Sequence, residues 1–157
     1  MTEQIQPRRG QREHTRTPVI VVGFDASLPA EHALAYAAGV ACRLHATLDV
    51  THVNRVATGA SLAGLAPGIV TVTELADDDA RVAHAAAAAA AILDGLAVSW
   101  TFISRTGDPA VELARLAQEH GADIVVVGQS SQWWHRLAGS VPVRLTRRSG
   151  CPVTVVP

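Results

Sequence analysis

The chain alternates between short apolar runs and longer segments in which apolar residues recur at helical spacing. The runs at residues 18–22 and 123–127 are each followed by a glycine, which is typical of strands buried on both faces of a parallel sheet. Between such runs, apolar residues recur every three or four positions, as in 33–41 and 111–117, which predicts amphipathic helices. The pattern predicts the order β-α-β-α-β-α-β-α-β.

Local end signals place the elements more closely. Ser27 is a predicted N-cap with Pro29 in the first helical turn, and Asp108 followed by Pro109 is a strong helix start. The predicted strands cover residues 18–22, 47–53, 98–104, 123–127 and 151–157, and the predicted helices run to about residues 43, 96, 121 and 148. Alternation of this kind predicts an α/β fold: an open, doubly wound, parallel five-stranded sheet in the order 3-2-1-4-5, with helices on both faces.

Composition fits one domain preceded by a short tail. A chain of 157 residues with 48% apolar residues is long enough for one core. Residues 1–16 are polar and bear several arginines, so we expect a disordered N-terminal tail that is dispensable for folding, followed by one domain over 17–157. Neither a signal-peptide core nor an apolar run of membrane-spanning length is present, which predicts a cytoplasmic protein that does not enter a membrane.

The charges exclude several classes of function. A formal net charge of −1 gives no electrostatic basis for binding nucleic acid or anionic lipid. All 13 basic residues are arginine, and the absence of lysine excludes a Walker A loop, a Schiff-base enzyme and a protein kinase. The two cysteines and the scattered histidines lack the spacing of a metal site. No catalytic constellation is visible, so we expect a protein that is not an enzyme.

Ligands of an open doubly wound sheet bind at the carboxyl ends of the strands, where strands 1 and 4 are neighbours. Two predicted loops meet there, residues 23–27 and residues 128–140. Gly128 allows close approach of the backbone to a ligand, and Gly139 with Ser140 leads into a helix whose free amides favour an anion. Asp25 is placed to accept hydrogen bonds from a sugar. These residues suit a nucleotide, but glycines that serve only as turns remain an equal alternative.

The span 17–157 resembles the universal stress protein family. The resemblance is carried, in order, by Val-Val-Gly-Phe-Asp-Ala-Ser at 21–27, His-Val at 52–53, Gly-Asp-Pro-Ala at 107–110, Val-Val-Gly at 126–128, Gly-Ser-Val at 139–141 and Cys-Pro-Val at 151–153. It implies an α/β sandwich that is usually dimeric, in a family with ATP-binding and non-binding members. The family's nucleotide signature is Gly, two residues, Gly, nine residues, then Gly and Ser or Thr.

The resemblance also implies roles for individual residues. It implies that Asp25 contacts adenosine, that Val53 lines the adenine pocket, and that the phosphates are contacted by Gly128, Gly139 and Ser140. The chain departs from the signature at Ser131, which stands where a glycine is expected, and only seven residues separate it from Gly139. Within this shortened loop, Arg136 would pair with a phosphate. Trp133 and Trp134 either pack the loop against the domain or a partner subunit, or stack on the ligand.

These observations predict a non-enzymatic stress-response protein that binds ATP or another adenine nucleotide weakly. We expect a homodimer formed through the C-terminal edge strand, Val153–Val156, because an uncovered apolar edge invites pairing. Two alternatives remain open. One is a structural dimerisation module without a ligand. The other is an ATP-hydrolysing enzyme of the related nucleotide-binding α-hydrolase architecture, which would require a Ser-Gly-Gly loop where residues 23–27 stand.

Overall fold

A computed structural model describes residues 16–55, 72–129 and 141–157, with the backbone alone for residues 72–77. Five parallel strands form one sheet in the order β3-β2-β1-β4-β5, as the sequence predicted. The strands are β1 (Val19–Gly23), β2 (Thr47–Asn54), β3 (Ser99–Thr106), β4 (Ile124–Gly128) and β5 (Val153–Val156). The helices are α1 (Leu28–Leu44), α2 (Val72–Leu93), α3 (Pro109–Glu119) and α4 (Val141–Thr146).

The sheet separates two hydrophobic clusters because successive residues of a strand point to opposite faces. On one face, Ile20 and Val22 pack against alanines and leucines of α1 and α2. On the other face, Val21 and Val125 pack against α3 and α4. All four of these strand residues are fully buried, so the central strands β1 and β4 bury both faces. Burial of both faces explains why these strands appear in the sequence as continuous apolar runs.

Helix ends follow the sequence prediction in part. Asp108 caps α3 as predicted, since its Oδ1 accepts hydrogen bonds from the amides of Ala110 and Val111, each at 3.1 Å. Ser27 occupies the N-cap position of α1, but its side chain makes no capping hydrogen bond. Its amide instead donates to Asp25 Oδ1 at 3.0 Å, so the turn before α1 is held by the aspartate.

Several boundaries differ by a few residues from the predicted ones. Helix α2 ends at Leu93, three residues earlier than predicted, and Gly95 follows with a φ of 75° that ends the helical path. Strand β3 continues to Thr106, two residues further than predicted, because it pairs with β2 over that strand's whole length. Helix α4 ends at Thr146 rather than near residue 148.

The start of the described chain is tied to the domain. Arg16 Nη2 lies 2.7 Å from Asp123 Oδ1, and the amide of Val19 donates to Asp123 Oδ2 at 2.9 Å. The ion pair is exposed, so it adds little to stability. Residues 1–15, the rest of the predicted tail, lie outside the described residues. No helix of the described ranges is long and apolar enough to cross a membrane.

Candidate functional site

A cleft of about 580 Å³ opens at the carboxyl ends of the strands, beside the point where β1 and β4 are neighbours. The chain leaves β1 toward β2 on one side and leaves β4 toward β5 on the other, so the two connections diverge and leave a space between them. The described lining comes from the carboxyl ends of β1, β2 and β4 and the residues that follow them, from the first turns of α1, α3 and α4, and from the end of β5 and the residue after it. The cleft therefore occurs where the sheet order predicts a ligand.

The loop after β1 places Asp25 at the cleft. Asp25 Oδ1 accepts the Ser27 amide at 3.0 Å, and the intervening Ala26 has a left-handed φ of 59°. This turn reverses the chain into α1 and keeps the carboxylate exposed beside the cleft. A carboxylate held in this way accepts hydrogen bonds from a ligand's hydroxyl groups.

Hydrogen bonds to β2 fix the same loop from the other side. The amide of Phe24 donates to the Thr51 carbonyl at 2.8 Å. His52 is buried, and its Nδ1 lies 2.9 Å from the Phe24 carbonyl while its Nε2 lies 3.0 Å from Asn54 Oδ1. A carbonyl only accepts, so the hydrogen-bond pattern assigns a proton to Nδ1. His52 therefore holds the loop in place.

Strand β2 contributes a row of side chains to the cleft. Thr51 and Val53 alternate along β2, so they lie on one face of the strand, and Arg55, which follows the strand directly, also lines the cleft. Thr51 is buried, Val53 is half-buried and Arg55 is exposed. Of these three residues, only Val53 was predicted from the sequence, on the basis of the family resemblance. Thr51 and Arg55 could have been predicted as site residues too, because they stand at alternate positions with Val53 along the chain.

Gly128, at the end of β4, lines the cleft and also packs tightly against α1. A Cβ at this position would lie 2.5 Å from the carbonyl carbon of Pro29 and 2.9 Å from the amide nitrogen of Ala30, and would contact the Pro29 oxygen more closely still. From the sequence, this glycine was predicted to allow close approach of a ligand. The structure adds a packing reason, because the backbone of the first turn of α1 occupies the space that a side chain would need.

Apolar residues form the opposite wall of the cleft. Pro109 and Leu113 of α3 face it, together with Val141 and Pro142 at the start of α4 and with Val155 of β5. Four of the predicted site residues, namely Ser131, Arg136, Gly139 and Ser140, lie outside the described residues, as do Trp133 and Trp134. The structure thus brings Asp25, Val53 and Gly128 to one cleft.

The wall between α3 and α4 is held by Asp108. Its Oδ2 accepts a hydrogen bond from Arg144 Nη1 of α4 at 2.8 Å, while its Oδ1 caps α3. Burial raises the pKa of the Asp108 carboxyl, but the contacts with Arg144 and with the capping amides outweigh burial, so the pKa lies below its ordinary value. The charged form of Asp108 therefore stabilises the folded state.

The chemistry of the described lining is that of a binding site with few charges. Asp25 and Arg55 are its charged side chains, and most of the rest is apolar. Within residues 16–55, 72–129 and 141–157, no three His, Cys, Asp or Glu side chains converge on a point that could hold a metal ion. Such a cleft suits an organic ligand with an apolar ring and a few polar groups.

The fold is that of an α/β protein with a doubly wound sheet and a cleft at its switch point. A family model for the universal stress protein family matches residues 17–157, and the chain belongs to that family. No curated protein matches the chain.

Solved structures of the same family are similar in fold. A universal stress protein from Burkholderia pseudomallei is 28% identical, with a TM-score of 0.66 over 88% of this chain and 95% of that one. A universal stress protein from Lactobacillus plantarum is 24% identical, with a TM-score of 0.68 over 90% and 99%. A universal stress protein solved in complex with cAMP is 27% identical, with a TM-score of 0.62 over 89% and 96%.

Proposed function

We propose that this universal stress protein binds an adenine nucleotide in the cleft between β1 and β4 and acts in the cytoplasm as a non-enzymatic nucleotide sensor of the stress response. The observation that carries the proposal is the convergence of Asp25, Val53 and Gly128 on one cleft at the switch point. The 27% identical relative solved with cAMP supports an adenine nucleotide as the ligand.

Each of the three described residues has a role that its surroundings support. Val53 is half-buried and packs beside the cluster under α3, so it offers an apolar surface to the adenine ring. Asp25 is exposed at the mouth and accepts hydrogen bonds from the ribose. Gly128 allows the phosphates to approach the end of β4. Ser131, Arg136, Gly139 and Ser140 complete the phosphate contacts in this proposal.

We expect ATP to bind weakly because the chain departs from the family's nucleotide signature. Ser131 introduces a Cβ where a glycine is expected, which costs about 1–3 kcal/mol if the backbone there is left-handed. That cost corresponds to roughly one to two powers of ten in affinity. Ser131→Gly should therefore strengthen ATP binding, and Gly139→Val should abolish it. Tight ATP binding by the unmodified protein in calorimetry would contradict this argument.

The role of Asp25 is tested by titrating the purified protein with AMP and ADP in a calorimeter. Asp25→Asn retains an oxygen for the Ser27 amide but loses the charge, so it should weaken binding roughly tenfold while leaving the fold intact. Asp94→Asn is a matched control, because Asp94 is an exposed residue just beyond α2 and away from the described cleft lining. Equal nucleotide affinities of Asp25→Asn and Asp94→Asn would show that Asp25 is not part of the binding site.

The alternatives have distinct outcomes in the same experiment. Failure of the unmodified protein to bind any adenine nucleotide would favour a ligand-free dimerisation module. Release of AMP from ATP would favour an enzyme of the nucleotide-binding α-hydrolase architecture. Binding without turnover is the result that the proposal requires.

The proposal includes a homodimer formed through β5. This strand is the last in the sheet, and within the described residues it pairs only with β4. Val155 is 41% exposed, so an apolar side chain accompanies the open edge. Deletion of residues 153–157 should give a monomer or an aggregate in sedimentation experiments. A truncated chain that still sediments as a folded dimer would place the interface elsewhere.

A further inference from the structure

Strand β5 is too short to hold two copies of the chain together on its own. Its four residues span about 13 Å, whereas a stable interface takes roughly 800 Å² and 20–30 residues from each partner. Pro152 and Pro157 flank the strand, and a proline has no amide hydrogen to extend the pairing. The proposed homodimer therefore needs further surface from the elements that adjoin β5.

Helix α1 adjoins β5 on one face of the sheet, because α1 contacts β4 and β5 while α2 contacts β2 and β3. Cys42 Sγ lies 3.7 Å from the carbonyl oxygen of Ala97, in the connection from α2 to β3, so Cys42 marks the side of α1 that faces α2. At 3.6 residues per turn, Tyr36 and Val40 lie on the other side of the buried face of α1, toward the edge at β5. We call Tyr36 and Val40 the α1 flank.

The α1 flank is apolar and accessible. Tyr36 is 45% exposed, and Val40 is half-buried at the border of the cluster beneath α1. Thr154 pairs with Val126, which belongs to that cluster, so Thr154 and Val156 face the α1 side of the sheet, and both are half-buried. Uncovered surface on this side of β5 therefore adjoins the α1 flank.

Symmetry brings two such flanks toward each other. When two β5 strands pair antiparallel about a two-fold axis, the axis stands perpendicular to the sheet, so both copies of α1 lie on the same face of the joined sheet. Because α1 contacts both β1 and β4, roughly four strand spacings, about 19 Å, separate the two helix axes. Helices in direct contact lie about 8–10 Å apart, so only large side chains bridge this gap. The flank carries no charge, so two copies meet without like-charge repulsion.

We propose that the α1 flank forms part of the homodimer interface and that Tyr36 is the side chain that crosses to the partner subunit. This inference rests on the proposed homodimer and adds to it a second surface and an anchoring residue. Buried aromatic side chains near the centre of an interface contribute a large share of the binding energy, and Tyr36 is the one aromatic residue of α1.

The test measures the dimer dissociation constant by sedimentation equilibrium over a range of protein concentrations. Tyr36→Ala should raise this constant roughly 30-fold, the effect of removing an aromatic anchor. Tyr36→Phe retains the ring and should change it by less than about threefold. Leu96→Ala is the matched control, because Leu96 is 46% exposed and lies just before β3, at the opposite edge of the sheet. Urea denaturation of Tyr36→Ala checks that the variant is folded.

Crosslinking tests the same surface without removing the tyrosine. In a variant with Cys42→Ser and Cys151→Ser, His32→Cys places a thiol at an exposed position one turn before Tyr36. A short bismaleimide should join two chains through this thiol, whereas Leu96→Cys in the same background should stay uncrosslinked.

The inference and the proposed homodimer fail in different ways. If deletion of residues 153–157 abolishes the dimer while Tyr36→Ala dissociates like the unmodified protein, the homodimer stands and the α1 flank is outside its interface. Crosslinking of Leu96→Cys but not of His32→Cys would place the contact at the other edge of the sheet. An unmodified protein that is a monomer at every concentration would refute both the homodimer and this interface.

Discussion

Replacement of Gly128 by alanine should destabilise the protein far more than the other glycine replacements that the structure allows. The new Cβ would lie 2.5 Å from the carbonyl carbon of Pro29. Non-bonded carbons prefer a separation of about 3.5–4.0 Å, so the backbones of β4 and α1 would have to separate by roughly 1 Å. The obstacle is backbone, which cannot rotate away as a side chain can.

The magnitude follows from what α1 buries. Ala33 and Leu34 of α1 have no exposed surface, so a shift of the first helical turn disturbs a closely packed cluster. Overpacking in a core usually costs about 1–3 kcal/mol, and a backbone clash belongs at or above the upper end of that range. We therefore expect Gly128→Ala to lower the free energy of unfolding by about 3 kcal/mol or more.

Urea denaturation monitored by far-UV circular dichroism measures this loss, and two glycines provide matched controls. A Cβ at Gly23 would meet Leu113 Cδ1 at 3.0 Å, but this is the end of a flexible side chain, so the cost should be about 1 kcal/mol or less. A Cβ at Gly39, inside α1, would meet only Arg43 Nη1 at 3.4 Å, so Gly39→Ala should stabilise the helix by about 0.8–1 kcal/mol. Unfolding of Gly128→Ala at the same urea concentration as Gly23→Ala would refute the predicted backbone clash.

Three further predictions concern titratable groups. Asp108→Ala should lower the free energy of unfolding by about 1 kcal/mol at neutral pH. Asp108→Asn should lower it less, because asparagine still caps α3 and loses only the charge contact with Arg144. Folding lowers the pKa of Asp108, so the charged carboxylate stabilises the folded state above the unfolded pKa of about 3.9. This contribution is lost as the pH falls through the lower pKa of the folded state. The unfolding curves of Asp108→Ala and of the unmodified protein should therefore converge in acid. His120 Nδ1 lies 2.7 Å from Oδ2 of the buried Asp49, so His120→Ala should lower the free energy of unfolding by about 1–3 kcal/mol in chemical denaturation. Adding Asp49→Val to this variant should recover part of the loss, because it removes the buried carboxylate that has lost its partner. No recovery would mean that the carboxylate needs no partner. Burial raises the pKa of the Cys151 thiol, so the folded protein holds less of the reactive thiolate. In a variant that lacks Cys42, iodoacetamide at pH 8 should therefore alkylate Cys151 more slowly in the folded chain than in the chain unfolded by urea. Equal rates would contradict this prediction.

Local pattern determined much of the architecture from the sequence alone. The apolar runs at β1 and β4 predicted strands buried on both faces, and the structure shows Val21 and Val125 paired at the centre of the sheet. The helix start at Asp108 and Pro109 was predicted correctly because capping depends on residues adjacent in the chain. The strand order 3-2-1-4-5 was predicted because it is a common order for doubly wound sheets with this alternation of strands and helices, and the structure confirms it. Together with the family resemblance, that order was enough to place Asp25 and Val53 beside the cleft.

Contacts between distant segments were decided only by the tertiary structure. The pairing of Asp49 with His120 joins residues 71 positions apart, and neither side chain shows in the sequence that the other is its partner. The contact of Gly128 with Pro29 likewise depends on how closely α1 packs against β4. Arg55 belongs to the cleft because strand register carries the β2 row to its mouth. Periodicity reports which face of an element is buried, whereas register and helix packing determine what that face meets.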